Sequence, residues 1–444
     1  MKVLIYFLTM AVSGIANLNA QWSIEYLSRA RAFPGAISYE DKVYIAGGYT
    51  IASTGIMTNR VDIYNNTTDT WLIDSLSSNR GDVAVIAVND KVYFAGGTTN
   101  GYGNAREIDI FDVLSNTWRV DSLLTTQGAC IPVKIGNKIY FAGGTSNTSN
   151  GVTKIVSVFD YTTNTWTKDS LSQARFGLHG AVVGDIAVFA GGYLNTTSYP
   201  TTKRVDIFNA LTNKWDTASL TQARGNIACI AVAGKIFFAG GLVSVGSGAL
   251  SNVVDIYDVA QNSWSTARLS QARRSIATAT VGNLVFFAGG EQNFSQNKPT
   301  NRVDIYNVLT NSWTIDSLSV PRDAMAGTQL GNKAFFIGGG TYSPDRANNE
   351  VEIYTVSEVG TNGPNLDPSI TIYPNPTSGI IYINNSKRSS FDFNIYNSRG
   401  QCLKSGHSMN SEHSLDLKKF AGQIIFLKVI SGVDVMTKLI SVIE

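Results

Sequence analysis

Two adjacent glycines close a short apolar run seven times along this chain, at Gly47-Gly48, Gly96-Gly97, Gly143-Gly144, Gly191-Gly192, Gly240-Gly241, Gly289-Gly290 and Gly338-Gly339. The intervals are 49, 47, 48, 49, 49 and 49 residues. A period that regular, and of that length, means one supersecondary unit copied around or along an axis. The run itself, KVYFAGG at Lys91–Gly97, is rich in Val, Tyr and Phe and predicts a strand. Paired glycines let the chain leave that strand with positive φ and let a neighbouring backbone come close.

A second landmark follows in each unit: VDIYNNTTDTW at Val61–Trp71, VDIFNALTNKW at Val205–Trp215 and VDIYNVLTNSW at Val303–Trp313. An acidic residue precedes the Trp by nine positions in five copies (Asp62, Asp109, Asp206, Asp255, Asp304), while the third copy has Ser157 there. Two positions after it stands an aromatic column: Tyr64, Phe111, Phe159, Phe208, Tyr257, Tyr306 and Tyr354. Each unit then predicts four short antiparallel strands, the architecture of a propeller blade. In the GG pair, the aromatic column and the Trp, the chain resembles kelch repeats, from about Arg29 to Ser357. The fold class expected is all-β.

The seventh unit has Thr361 where its Trp should be, whereas Trp22 lies nine residues before Arg31, in the register of Trp71 before Arg80. QWSIEYL therefore predicts the missing outer strand, closing a seven-bladed kelch-type β-propeller over residues 21–356. Closure removes the open edges that would expose unpaired backbone groups.

Ahead of it, residues 1–20 carry Lys2 and the apolar run Val3–Val12 and end at Ala20, the pattern of a secretory signal peptide. No other stretch has the length of a transmembrane helix. A net charge of +2 over 444 residues argues against a nucleic-acid surface. Three cysteines, Cys130, Cys229 and Cys402, build no disulfide framework.

Residues 357–368 predict a polar linker, and residues 369–444 break the repeat into the strands of a small immunoglobulin-like β-sandwich. Its motif Tyr373-Pro374-Asn375-Pro376-Thr377-Ser378-Gly379, with IYNSRG at Ile395–Gly400 and GQIIFLKV at Gly422–Val429, resembles a type A sorting domain of the type IX secretion pathway. The resemblance implies the type IX machinery as a partner, export across an outer membrane, and a secreted or cell-surface protein.

Strand alternation puts the loops after each GG on one face, and these are the variable segments. Scaffold with variation confined to one face points to binding there. Their Asn, Thr, Ser, Gly and scattered aromatics suit a glycan or a protein ligand. The candidate ligand-binding residues are Tyr49, Asp82, Tyr102, Tyr193, Arg274, Glu291, Asp323 and Tyr342. Asp82, Arg274, Glu291 and Asp323 are chosen because they break the repeat's columns.

An Arg column (Arg31, Arg80, Arg175, Arg224, Arg273, Arg322) suggests an anion site, but the unit with Gln127 in place of Arg also has Ser157 in place of the acid. Structural pairs within each unit are the simpler account: Arg80 with Asp109, Arg175 with Asp206, Arg224 with Asp255, Arg273 with Asp304 and Arg322 with Glu352. His179 is the one histidine of the repeat region, so the two-histidine site of kelch-type copper-radical oxidases is not expected, and no cofactor or metal is. An alternative function is a secreted sugar-modifying enzyme resembling the kelch-type sialic-acid mutarotases.

Overall fold

The computed structural model describes residues 20–51, 55–100, 103–341, 347–356, 370–373, 377–385, 390–397, 401–431 and 434–442. The expected leader, residues 1–19 of it, and the linker 357–368 lie outside them, as do Tyr102 and Tyr342. The described residues fall into two compact units, Ala20–Val356 and the C-terminal region. Neither has an α-helix among the described residues.

The first unit is seven four-stranded antiparallel sheets. In the second repeat the strands are Ala84–Val88, Lys91–Ala95, Glu107–Asp112 and Thr117–Ser122, from the inside outward. Burial follows position. Lys91–Ala95 is buried from Val92 onward, while Thr117–Ser122 is largely exposed. Between the first two strands Asn89 and Asp90 take φ of 49° and 59°, which a two-residue hairpin turn of the type I′ class requires.

The glycine pairs join one sheet to the next. Gly96 has φ 58°, and a Cβ there would come within 2.1 Å of the Gln127 carbonyl oxygen. The amide of the second glycine donates to the residue that opens the following unit: Gly48 to Arg80 O (2.9 Å), Gly97 to Gln127 O (3.1 Å), and onward to Gly339, which donates to Arg31 O (2.9 Å). The series ends on its own beginning, so the sheets form a closed ring. Accordingly the inner strand Gly35–Tyr39 touches both Ala84–Val88 and Ala326–Leu330.

The last sheet is completed from the other end of the chain. Ala20–Tyr26 pairs antiparallel with Glu350–Val356, Trp22 opposite Tyr354. The Trp22 ring lies edge-on to Tyr354 with centroids 5.0 Å apart, and its Nε1 donates to Asp316 Oδ2 of the neighbouring sheet at 2.9 Å.

In the C-terminal unit, Ile370–Tyr373, Ile380–Asn385 and Glu412–Asp416 make a three-stranded sheet. Cys402–Ser408, Phe391–Tyr396, Ile424–Ser431 and Asp434–Ser441 make a four-stranded one. Alternate residues of both sheets, among them Ile381, Ile383, Phe393, Ile395, Leu415 and Leu427, form one apolar core. Of the sorting motif, Pro374, Asn375 and Pro376 lie outside the described residues. Tyr373 is exposed and stacks on Tyr382, and Gly379 has φ 135° with its amide bonded to Thr377 Oγ1.

Candidate ligand-binding site

The Arg column lies inside the sheets. Arg31, Arg175, Arg273 and Arg322 reach Asp62, Asp206, Asp304 and Glu352 at 2.5, 2.6, 2.7 and 2.5 Å, and Arg80 and Arg224 pair with Asp109 and Asp255. All six guanidiniums are fully buried. Burial pulls each below its ordinary value, as for Arg175, and the carboxylate partner opposes it. Each acid also accepts a backbone N–H from the segment entering its unit, as Asp206 does from Ser172 at 2.9 Å. In the third unit Gln127 Nε2 bonds three backbone carbonyls and Ser157 Oγ donates to Gln127 Oε1 at 2.6 Å, a neutral copy of the same tie. With 0% exposure on every Arg, no ligand reaches this ring.

The post-GG face offers more accessible chemistry. Glu291 follows Gly289-Gly290 and opens a small hairpin, Glu291–Asn293 with Lys298–Pro299, whose tip is the 3-10 turn Phe294–Gln296. A backbone bridge holds Glu291 beside Arg274, and Arg274 Nε then donates to Glu291 Oε2 at 2.5 Å. The guanidinium lies 4.5 Å from the centroid of the Phe294 ring, a cation–π contact. Arg274 thus stands in one orientation at the wall of a cavity of about 340 Å³ lined by Phe176, Tyr193, Tyr199, Asn226, Leu242, Val245 and Phe294. Tyr193 and Tyr199 meet edge to face, and Phe176 packs on both.

Beside the cavity, Glu291 Oε1 has no hydrogen-bond partner among the described residues, and the Tyr193 hydroxyl is within reach of Arg274, both on side chains almost wholly buried. Burial pushes the Glu291 carboxyl up against the pull of Arg274. Asp323 is coupled to the same pair. Burial first, then the Glu291 carboxylate, raise it to about 7, with Arg274 opposing. The cluster therefore holds a fixed cation, a buried carboxylate and a carboxyl that carries its proton close to neutrality.

The remaining candidates gather elsewhere. Tyr49 donates to Asp82 Oδ2 at 2.7 Å and Thr98 Oγ1 does so at 3.4 Å, and burial raises the Asp82 carboxyl against both bonds. Asp82 and His179 line a separate central channel of about 310 Å³ to which all seven units contribute. Its wall is mainly apolar, and burial lowers the His179 imidazole to about 4. Cys130, raised to about 12 by burial, lines it too, while Cys402 is exposed. No group of three or more His, Cys, Asp or Glu among the described residues is placed to hold a metal.

Sequence columns had pointed to Arg274 and Asp323 and passed over Phe176. All three occupy the position just after the column Arg, where the other units have Ala32, Gly81, Gly128 and Gly225. The sequence signal for Phe176 is the same break of the column, made by an aromatic residue and not by a charge.

Residues 128–340 match the family described as KLHDC2/KLHL20/DRC7 Kelch-repeats domain, and residues 371–443 match the one described as Secretion system C-terminal sorting domain. The chain carries kelch repeats and a secretion sorting tail. Among solved structures, the one titled "Structure of YjhT" is similar, with a TM-score of 0.50 at 17% identity over 63% of this chain and 96% of that one. At that identity the likeness is one of fold, a kelch-type propeller. No curated protein matches the chain. The sorting tail marks this kelch protein for type IX export, to the cell surface or the extracellular space. No helix among the described residues is long and apolar enough to cross a membrane.

Proposed function

We propose that this secreted kelch propeller is a binding module that recognises a glycan or protein ligand through its post-GG face, seated in the aromatic pocket around Arg274. The observation that carries the reading is the composition of that pocket: four aromatic rings and one orientation-fixed guanidinium around a concave space. Ligand sites are concave and mostly apolar with a few well-placed polar groups. Aromatic rings give broad contact at low entropy cost, and Arg supplies forked donors. A second reading, a sugar-modifying enzyme, draws support from Glu291 and Asp323 beside Arg274, since acid–base chemistry needs carboxyls raised toward neutrality.

One experiment addresses both. The purified propeller is screened against glycan and peptide panels, with sugar mutarotation followed in parallel. Binding of a ligand that Tyr199→Ala, Phe294→Ala and Arg274→Ala each weaken by tenfold or more supports the binding module. Unchanged affinity in all three variants overturns this placement of the site. Turnover abolished by Glu291→Gln transfers the site to the enzyme reading.

A further inference from the structure

Asn226 lines both the aromatic pocket and the central channel. It precedes the inner strand of its unit with φ 49°, its amide bonded to Gly177 O, at the place where the linings of the two cavities meet. The two cavities differ sharply in chemistry. The pocket has aromatic faces and polar atoms, including the Tyr193 hydroxyl. The channel lining is mainly apolar, and its side chains with exposed surface include Phe33, Ala36, Val85, Ile131 and Pro132. Of the repeat column that holds His179, Gly35, Ala84, Ile131 and His179 itself line the channel, one imidazole among otherwise apolar residues.

Charge narrows the class of ligand. Arg274 is already neutralised by Glu291, so the pocket has no spare cation for an anionic group, and Arg274 itself repels a cationic one. Hydroxyl groups, which both donate and accept, suit the Tyr193 hydroxyl on the pocket wall. We propose that the propeller takes an amphiphilic glycan, an uncharged pyranose in the aromatic pocket whose alkyl or acyl substituent passes Asn226 into the apolar channel. This rests on the reading of the pocket as the ligand seat and adds a second, independent contact surface to it.

The test compares methyl, butyl and hexyl pyranosides of glucose, galactose, mannose and N-acetylglucosamine by titration calorimetry on the purified full chain. Each methylene that enters the channel should tighten binding by up to about fourfold, from the ordinary gain on burying a CH₂ group. His179→Trp, which fills the bore, should flatten that dependence. Should the variant not fold, NMR of ¹³C-histidine-labelled wild type serves: the chain has three histidines, and hexyl but not methyl glycosides should shift the His179 signal alone. Methyl and hexyl glycosides binding equally, with no shift at His179, would sink the proposal and leave the binding module standing. Failure of every glycoside while peptides bind at the pocket would sink it too. Failure of every probe removes the underlying reading as well.

Discussion

Arg175 places Nη2 2.6 Å from Asp206 Oδ2 and 3.1 Å from the Phe189 carbonyl, with both ionised partners shut off from water. Removing either partner strands the other charge, which typically costs about 3–5 kcal/mol in a buried pair. The third unit supplies the rescue: Arg175→Gln with Asp206→Ser recreates Gln127 and Ser157, whose side chains bond each other and the backbone. The double variant should therefore be milder than the sum of the singles in a urea-melt cycle. Coupling near zero would mean the charges act independently and the column has some other purpose. At this scale the pairing was legible in sequence, because the one copy of seven that lacks the Arg also lacks the acid. The pocket was only half legible. Column breaks exposed Arg274, Glu291 and Asp323, but Asp82 breaks its column as well and sits instead with Tyr49 at the central channel. Which loops converge is decided by turn geometry at their tips, such as the 3-10 turn that carries Phe294 over Arg274, and no spacing rule encodes that.

Each sheet of the ring has four strands, and for one sheet the outer strand comes from the other end of the chain. Residues 20–26 cover the backbone of Glu350–Val356 along its length, and Trp22 covers Tyr354 and Phe336. The register of Trp22 with Arg31 foretold the pairing, since the Trp-to-Arg interval is a property of the unit and not of its place in the chain. Deleting residues 21–27 should expose that edge and lower the melting temperature by many degrees. Trp22→Ala alone should cost near the lower end of the roughly 3–5 kcal/mol seen for large core aromatics, because Trp22 is only partly buried. Differential scanning calorimetry that shows no change on deletion would contradict closure by this strand. The glycine-to-Arg amide bonds would then have to hold the ring alone.

On the scale of the whole molecule, the chain combines a repeat fold that presents one variable face with a small domain matched to a sorting family. The C-terminal unit has its own core, with Ile381, Ile383, Ile395, Leu427 and Val429 fully buried in it, so it is built to fold on its own. Its motifs were readable because they are local. Tyr373 stacks on Tyr382, and Gly379 adopts φ 135° where a Cβ would strike Lys418 at 2.4 Å. If sorting resides in this unit, residues 369–444 fused behind a periplasmic reporter should carry it outside a host that has the type IX pathway. Substitution of Gly379→Val should block that export by forcing the turn open, while leaving the reporter folded in the periplasm. The measurement is reporter activity in the medium and on the cell surface against activity retained in the periplasm. A fusion that stays periplasmic while an established sorting domain exports the same reporter would show that the address lies elsewhere in the chain.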